Sequence, residues 1–236
     1  MVGPQKKPIT FLDLGSGMFA ERGWKLAEKR GKRPEDRRGQ FVSVDKERGV
    51  LVDEYGKIIG QSHRAFHQGD ALEFLKRREP NSVKVANDEL LLDYKLLVRH
   101  KAELERVGAQ AMERAQELKA ASHNEAGQYA KEVFRVLKPN GRFLVVVHGY
   151  FKNILADELR QQGFQILSEK MLTKEEILAK GSEFEKHALG NFGKTVGKYS
   201  KPDGLRLLAP AYGFKADVPA EVLASLFRIS ARKPQR

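Results

Sequence analysis

The chain has no cysteine. That excludes disulfides, thiolate metal sites, iron–sulfur clusters and any cysteine nucleophile. No apolar run approaches the ~20 residues needed to span a bilayer, so no membrane partner is expected. Solenoid-length repeats and long low-complexity tracts are also missing, which points to one continuous fold over 1–236. Acid is the scarcer charge: 31 Asp+Glu stand against 43 Lys+Arg, a formal net charge of +12. Such an excess suits a polyanionic partner. The six histidines show no metal-ligand spacing, because His63 and His67 (i, i+4) lack a third ligand; no metal site is expected. Met1 to Pro8 runs directly into a hydrophobic strand without a signal-peptide apolar stretch, so a soluble cytoplasmic protein is expected.

What is present is an alternation of strand and helix. Strands are predicted at Ile9–Leu14, Phe41–Val44, a short piece within 64–70, Ser82–Ala86 and Phe143–Val147. The last is almost purely apolar, as buried parallel strands are. Between them helices are predicted at 19–30, in a turn-and-helix region before residue 64, at 71–78, at 90–118 as one long helix or two, and at 128–137. Lys152–Gln162 reads as a helix closed by Gly163, followed by a strand at 164–167. Thr173-Lys174-Glu175-Glu176 is a capping box opening another helix. Met171, Leu172, Ile177 and Leu178 are expected to pack, and Leu226–Ser230 reads as a last strand. This order implies an α/β fold with a doubly wound, mostly parallel sheet. Helical residues 90–125 and basic, glycine- and aromatic-containing residues 168–222 are set apart as insertions.

In such sheets ligands bind at the carboxyl ends of strands. Gly15-Ser16-Gly17 follows the first strand, where a backbone without side chains admits a ligand and a helix N-terminus favours anions. Asp45 ends the second strand, where a carboxylate can take both hydroxyls of a ribose, and Asp70 ends the third. Gly15, Gly17 and Ala20 also satisfy the loose G-x-G-x-x-G/A pattern of nicotinamide-binding folds. Asp13 argues otherwise: a carboxylate there opposes a pyrophosphate but pairs well with an α-amino group.

Asp13-Leu14-Gly15-Ser16-Gly17, Val44-Asp45, Gly69-Asp70-Ala71-Leu72 and Val136 to Phe143 with its Lys138-Pro139-Asn140-Gly141 turn resemble, in order, the motifs of class I S-adenosylmethionine-dependent methyltransferases. The resemblance covers about residues 9 to 167 plus a terminal strand pair, and implies a seven-stranded Rossmann-like sheet with S-adenosyl-L-methionine as cofactor. It assigns the methionine amino group to Asp13 and the methionine part to Gly15, Ser16 and Gly17. Asp45 with Lys46 falls at the ribose, Gly69, Asp70 and Ala71 beside adenine, and Asn87 at the fourth strand end. The sequence departs from the family pattern at Phe19, where a third glycine is common, and in the long basic stretch between Gly17 and Asp45.

For the acceptor, absences decide most. Pyrimidine C5 methylation needs a cysteine, and the Asn/Asp-Pro-Pro-aromatic turn of amino-methylating enzymes is replaced by Asn87-Asp88-Glu89-Leu90. Direct in-line transfer remains, with Asn87 and Asp88 as candidates to hold the acceptor and Glu89 as a base; helix capping is the competing reading of Asn87 and Asp88. RNA is the leading acceptor. Between residues 186 and 215 six Lys/Arg face a single acid. Within that stretch Lys194, Lys198, Tyr199 and Lys201 interleave cations with an aromatic among glycines, suiting phosphate contact and base stacking. The layout is also similar to tRNA guanine-N7 and rRNA adenine-N1 methyltransferases. Lys7, Asp88, Lys152 and Glu169 offer a ribose 2′-O alternative. Rival readings are a small-molecule methyltransferase with His148, Tyr150, Phe151 and Tyr212 lining a pocket, and a non-catalytic binding module.

Overall fold

The computed structural model describes residues 9–15, 41–45, 50–52, 58–61, 66–89, 111–180 and 225–235. Its elements in chain order are β1 (Ile9–Leu14), β2 (Phe41–Asp45), β3 (Val50–Val52), β4 (Ile58–Gln61), β5 (Phe66–Gln68), α1 (Ala71–Lys76), β6 (Val83–Glu89), α2 (Ala111–Val136), β7 (Leu137–His148), α3 (Gly149–Gln161), β8 (Gln165–Met171), α4 (Lys174–Lys180) and β9 (Leu226–Arg232). Seven strands form one sheet in the order β5-β2-β1-β6-β7-β9-β8, the expected number, and β3 and β4 form a separate antiparallel pair. The pairings β1–β2, β1–β6 and β2–β5 are parallel.

Two elements differ from the sequence reading. The region before residue 64, read as turn and helix, contains the β3–β4 pair. Val50-Leu51-Val52 and Ile58-Ile59 are short, mostly β-branched runs that suit a pleated ladder better than a helix turn. The helix read at 128–137 is the end of a single 26-residue α2 beginning at Ala111. Ser122, Ala126, Tyr129, Ala130 and Val133 are all buried, one continuous i, i+3/i+4 stripe across the supposed break. His67 lies on β5, the short strand expected within 64–70; His63 lies outside the described residues.

The chain divides into two compact units. The first comprises residues 1–89, 132–144 and 232–236. Its core holds Leu12, Leu14, Val44, Leu75, Val83 and Phe143, each fully or almost fully buried. The Arg135 guanidinium donates to the carbonyls of Arg78 (2.6 Å) and Leu75 (2.7 Å), satisfying the groups that end α1. Burial lowers the pKa of Arg78, whose guanidinium lies 4.4 Å above the Phe74 ring. The Lys233 ammonium donates to the carbonyls of Phe134 (2.9 Å) and Leu137 (2.8 Å) and to Asn81 Oδ1 (2.9 Å).

The second unit comprises residues 90–131 and 145–231. Its helix α3 buries Phe151, Ile154, Leu155 and Leu159. It ends as the sequence indicates: Gly163 takes φ 89°, its N–H bonds the Arg160 carbonyl (2.9 Å), and the Phe164 N–H reaches Leu159 (3.0 Å). These are the two bonds of a Schellman motif. The capping box also forms. The Glu176 N–H donates to Thr173 Oγ1 (3.1 Å) while the Thr173 N–H donates to Glu176 Oε2 (3.2 Å). Leu172 and Ile177 pack with Val146 and Leu226, as expected. Met171 and Leu178 do not: they are 47% and 56% exposed, because β8 is an edge strand and α4 buries one stripe only.

Candidate active site

The first unit gathers the candidate cofactor residues on four adjacent strands, β5-β2-β1-β6. β2 and β5 lie on one side of β1 and β6 on the other, so the strand order reverses between β1 and β6. Such a switch point opens a crevice at the carboxyl ends of the strands. Asp13 sits at that end of β1, where its register partners are Ser43 on β2 and Asn87 on β6. All three are buried, Asp13 at 4% exposure and the other two at 1%. In-register neighbours share a face, so a row of three polar side chains crosses the sheet. Asn87 Nδ2 donates to Asp13 Oδ1 at 2.9 Å.

The chain then leaves β1 through Gly15, whose φ of 68° favours glycine and whose N–H bonds the Val44 carbonyl at 2.8 Å. This bond fastens the start of the glycine turn to the end of β2. Asp45 closes β2 beside Gln68 of β5, and its carbonyl accepts the Gly69 N–H at 2.7 Å. Asp70 follows as the N-cap of α1, its Oδ1 accepting from the N–H groups of Leu72 (2.9 Å) and Glu73 (3.2 Å). Asp70 therefore fixes the chain direction after β5, and Ala71 is buried under it.

Asn87, Asp88 and Glu89 are the last residues of β6; the helix that Asn87 or Asp88 was expected to cap lies outside the described residues. Asp88 pairs in register with Leu14 and is fully buried. The pleat places it on the opposite face from Asn87 and Asp13. Asn87 and Asp13 are thus brought together, and Asp88 is separated from both. Ser43 was missed by the sequence reading. Its signal is a single hydroxyl inside the otherwise apolar Phe41-Val42-Ser43-Val44.

In the second unit, His148 ends β7 and Tyr150 lies in the first turn of α3, with their rings stacked at 5.8 Å and 17°. His148, Tyr150 and Phe151 are buried at 6%, 3% and 0% exposure, so Phe151 belongs to the core. Lys152 pairs with Glu169 at 3.0 Å, and Arg160 binds the other oxygen of the same carboxylate. Ser16, Gly17, Phe19, Lys46, Lys7, Lys194, Lys198, Tyr199, Lys201 and Tyr212 lie outside the described residues. Among the described residues no group of three His, Asp or Glu could hold a metal, and no helix is long and apolar enough to cross a membrane.

One seven-stranded sheet, turning through glycine after β1 and carrying acids at the ends of β1, β2 and just past β5, decides the architecture. The fold is a doubly wound, Rossmann-like seven-stranded sheet. No protein-family model matches the chain, and no curated protein matches it. Solved structures do. A 16S rRNA adenine-N1 methyltransferase from Catenulisporales acidiphilia is similar at 8% identity and TM-score 0.47, over 98% of this chain and 88% of that one. Phosphoethanolamine N-methyltransferase 2 of Haemonchus contortus is similar at 17% identity and TM-score 0.46, over 99% of this chain. This chain spans about half (51%) of the Haemonchus protein's length. The [4+2]-cyclase SpnF is similar at 17% identity and TM-score 0.45, over 98% of this chain and 77% of that one.

Proposed function

We propose that this chain is an S-adenosylmethionine-dependent methyltransferase that transfers methyl directly to RNA, at a base nitrogen or a ribose oxygen. The observation that carries the cofactor reading is the buried Asp13–Asn87 hydrogen bond at the switch point, with Asp45 and Asp70 at the next two strand ends. This donor set fits the cofactor. A buried carboxylate suits the ammonium of a methionine moiety. The left-handed Gly15 keeps a Cβ away from the turn beside it. Asp45, half-buried at the end of β2, suits a ribose diol, and Gly69-Asp70-Ala71, after the next strand out, is assigned to the adenine.

When bound, the cofactor would supply an electrophilic methyl on a sulfonium, a donor reactive enough for direct displacement by an acceptor's lone pair. The chain's own contribution is to orient the acceptor and receive its proton. Asp88 and Glu89, at the end of β6 beside the cofactor strands, are the residues assigned to that work, with Glu89 as base. The RNA reading rests on charge: the net +12 and the cation–aromatic run containing Lys194, Lys198, Tyr199 and Lys201.

Titration calorimetry with S-adenosylhomocysteine tests the first part. The wild-type chain binds, and Asp45→Ala binds at least about tenfold more weakly, as expected for losing charge-assisted hydrogen bonds. No binding to either protein would sink the cofactor assignment. Incubation with methyl-labelled donor, total RNA and a small-metabolite extract tests the second part. Label in RNA supports it; label confined to small metabolites identifies a small-molecule methyltransferase, and binding without transfer to any pool a binding module.

A further inference from the structure

We infer that Asn87 is a positioning residue that acts through Asp13, holding its carboxylate so that the site selects ligands bearing an α-amino group; this rests on the cofactor reading above. Three observations support it. The two residues are in direct register on adjacent parallel strands, so their backbones cannot shift apart without breaking the β1–β6 ladder. Both side chains are buried, and the amide donates to Oδ1 at 2.9 Å. The donor is an amide, which orients a carboxylate without cancelling its charge. An Arg or Lys at residue 87 would form an ion pair with Asp13 and compete with a ligand's ammonium; Asn does not.

Asp13 has two side-chain torsions, and an amide hydrogen bond fixes the carboxylate plane before a ligand arrives. Fixing it beforehand removes an ordering cost from binding. Asn87 thereby serves the amino-acid end of the ligand and not the acceptor. Its pleat position supports this, since it shares a face with Asp13 while the neighbouring Asp88 does not.

The test compares two ligands that share the adenosine thioether and differ in the amino-acid part: S-adenosylhomocysteine and 5′-methylthioadenosine. Calorimetry on the full chain is expected to show that Asn87→Ala weakens S-adenosylhomocysteine about tenfold or more while leaving methylthioadenosine within about twofold. Asp13→Asn, which keeps an acceptor for the Asn87 amide but removes the charge, is expected to show the same selective loss. It also serves if Asn87→Ala does not fold. Equal loss of both ligands in Asn87→Ala would mean a purely structural role and would overturn the inference, as would no loss of either. Failure of the wild-type chain to bind either ligand would instead remove the cofactor reading, and the inference with it.

Discussion

Gly127 of α2 faces the Glu158 carboxylate of α3 so closely that a Cβ on Gly127 would lie 2.7 Å from Glu158 Oε2. Glu158 is 7% exposed and its Oε1 is 2.7 Å from His123 Nδ1, one turn before Gly127. A glycine in the middle of a 26-residue helix costs about 1 kcal/mol relative to alanine. Here it makes room for the carboxylate of the part-buried His123–Glu158 hydrogen bond. Gly127→Ala is therefore expected to lower stability by about 1 kcal/mol, the loss of that bond (about 1.5–3 kcal/mol) outweighing the propensity gain. In an Glu158→Ala background the sign should reverse, with Gly127→Ala stabilising by about 1 kcal/mol. Urea denaturation of the four proteins decides it, and additive effects would show that the contact does not explain the glycine.

The capping box of α4 should matter more than usual, because the helix is only seven residues long. Thr173→Ala removes the acceptor of the Glu176 N–H and is expected to cost about 1 kcal/mol. Glu176→Ala removes the reciprocal bond and an exposed pair with Lys170, the latter adding little. Hydrogen exchange across 174–180 should rise in both variants.

Lys233 ties the chain's end to three acceptors on residues 81, 134 and 137. Two of these are carbonyls in the last turn of α2 or just past it, where a cation also complements the helix dipole. Lys233→Met keeps most of the aliphatic stem and removes every donor. A loss of about 2 kcal/mol is expected, with an unchanged denaturant slope, by equilibrium unfolding. A loss under a few tenths would mean that water replaces these bonds without cost.

Gly15 has φ 68°, and its N–H is bonded to Val44. Gly15→Ala is expected to destabilise the chain by about 1–2 kcal/mol through left-handed strain. It should also weaken S-adenosylhomocysteine binding by more than the stability loss alone accounts for, because the turn lies two residues after Asp13. Calorimetry alongside thermal unfolding separates the two effects.

Local chemistry made much of this legible in one dimension. Thr173-x-x-Glu176 and Gly163 announce a helix start and a helix stop because their bonds reach only three to five residues. The apolar run Phe143 to Val147 announces a buried strand for the same kind of reason, since every second residue must find a covered face. Asp45 and Asp70 could be placed at strand ends because strand and turn alternate in sequence. The β3–β4 pair was not legible: Val50–Val52 and Ile58–Gln61 are too short for their period to separate strand from helix. The continuity of α2 was hidden too, since Ser122 and His123 break an apolar stripe in sequence though Ser122 is fully buried.

The sequence by itself determined the seven strands of the main sheet, the absence of thiol chemistry, and which acids end which strands. Those depend on residue type and on neighbours a few positions away. Only the tertiary structure decided that Asp13 and Asn87 touch, that Ser43 joins their row, and that Asp88 faces the other way. Residues 74 positions apart become partners through strand order and register, and register is set by how whole strands bury their apolar faces, which no local pattern records.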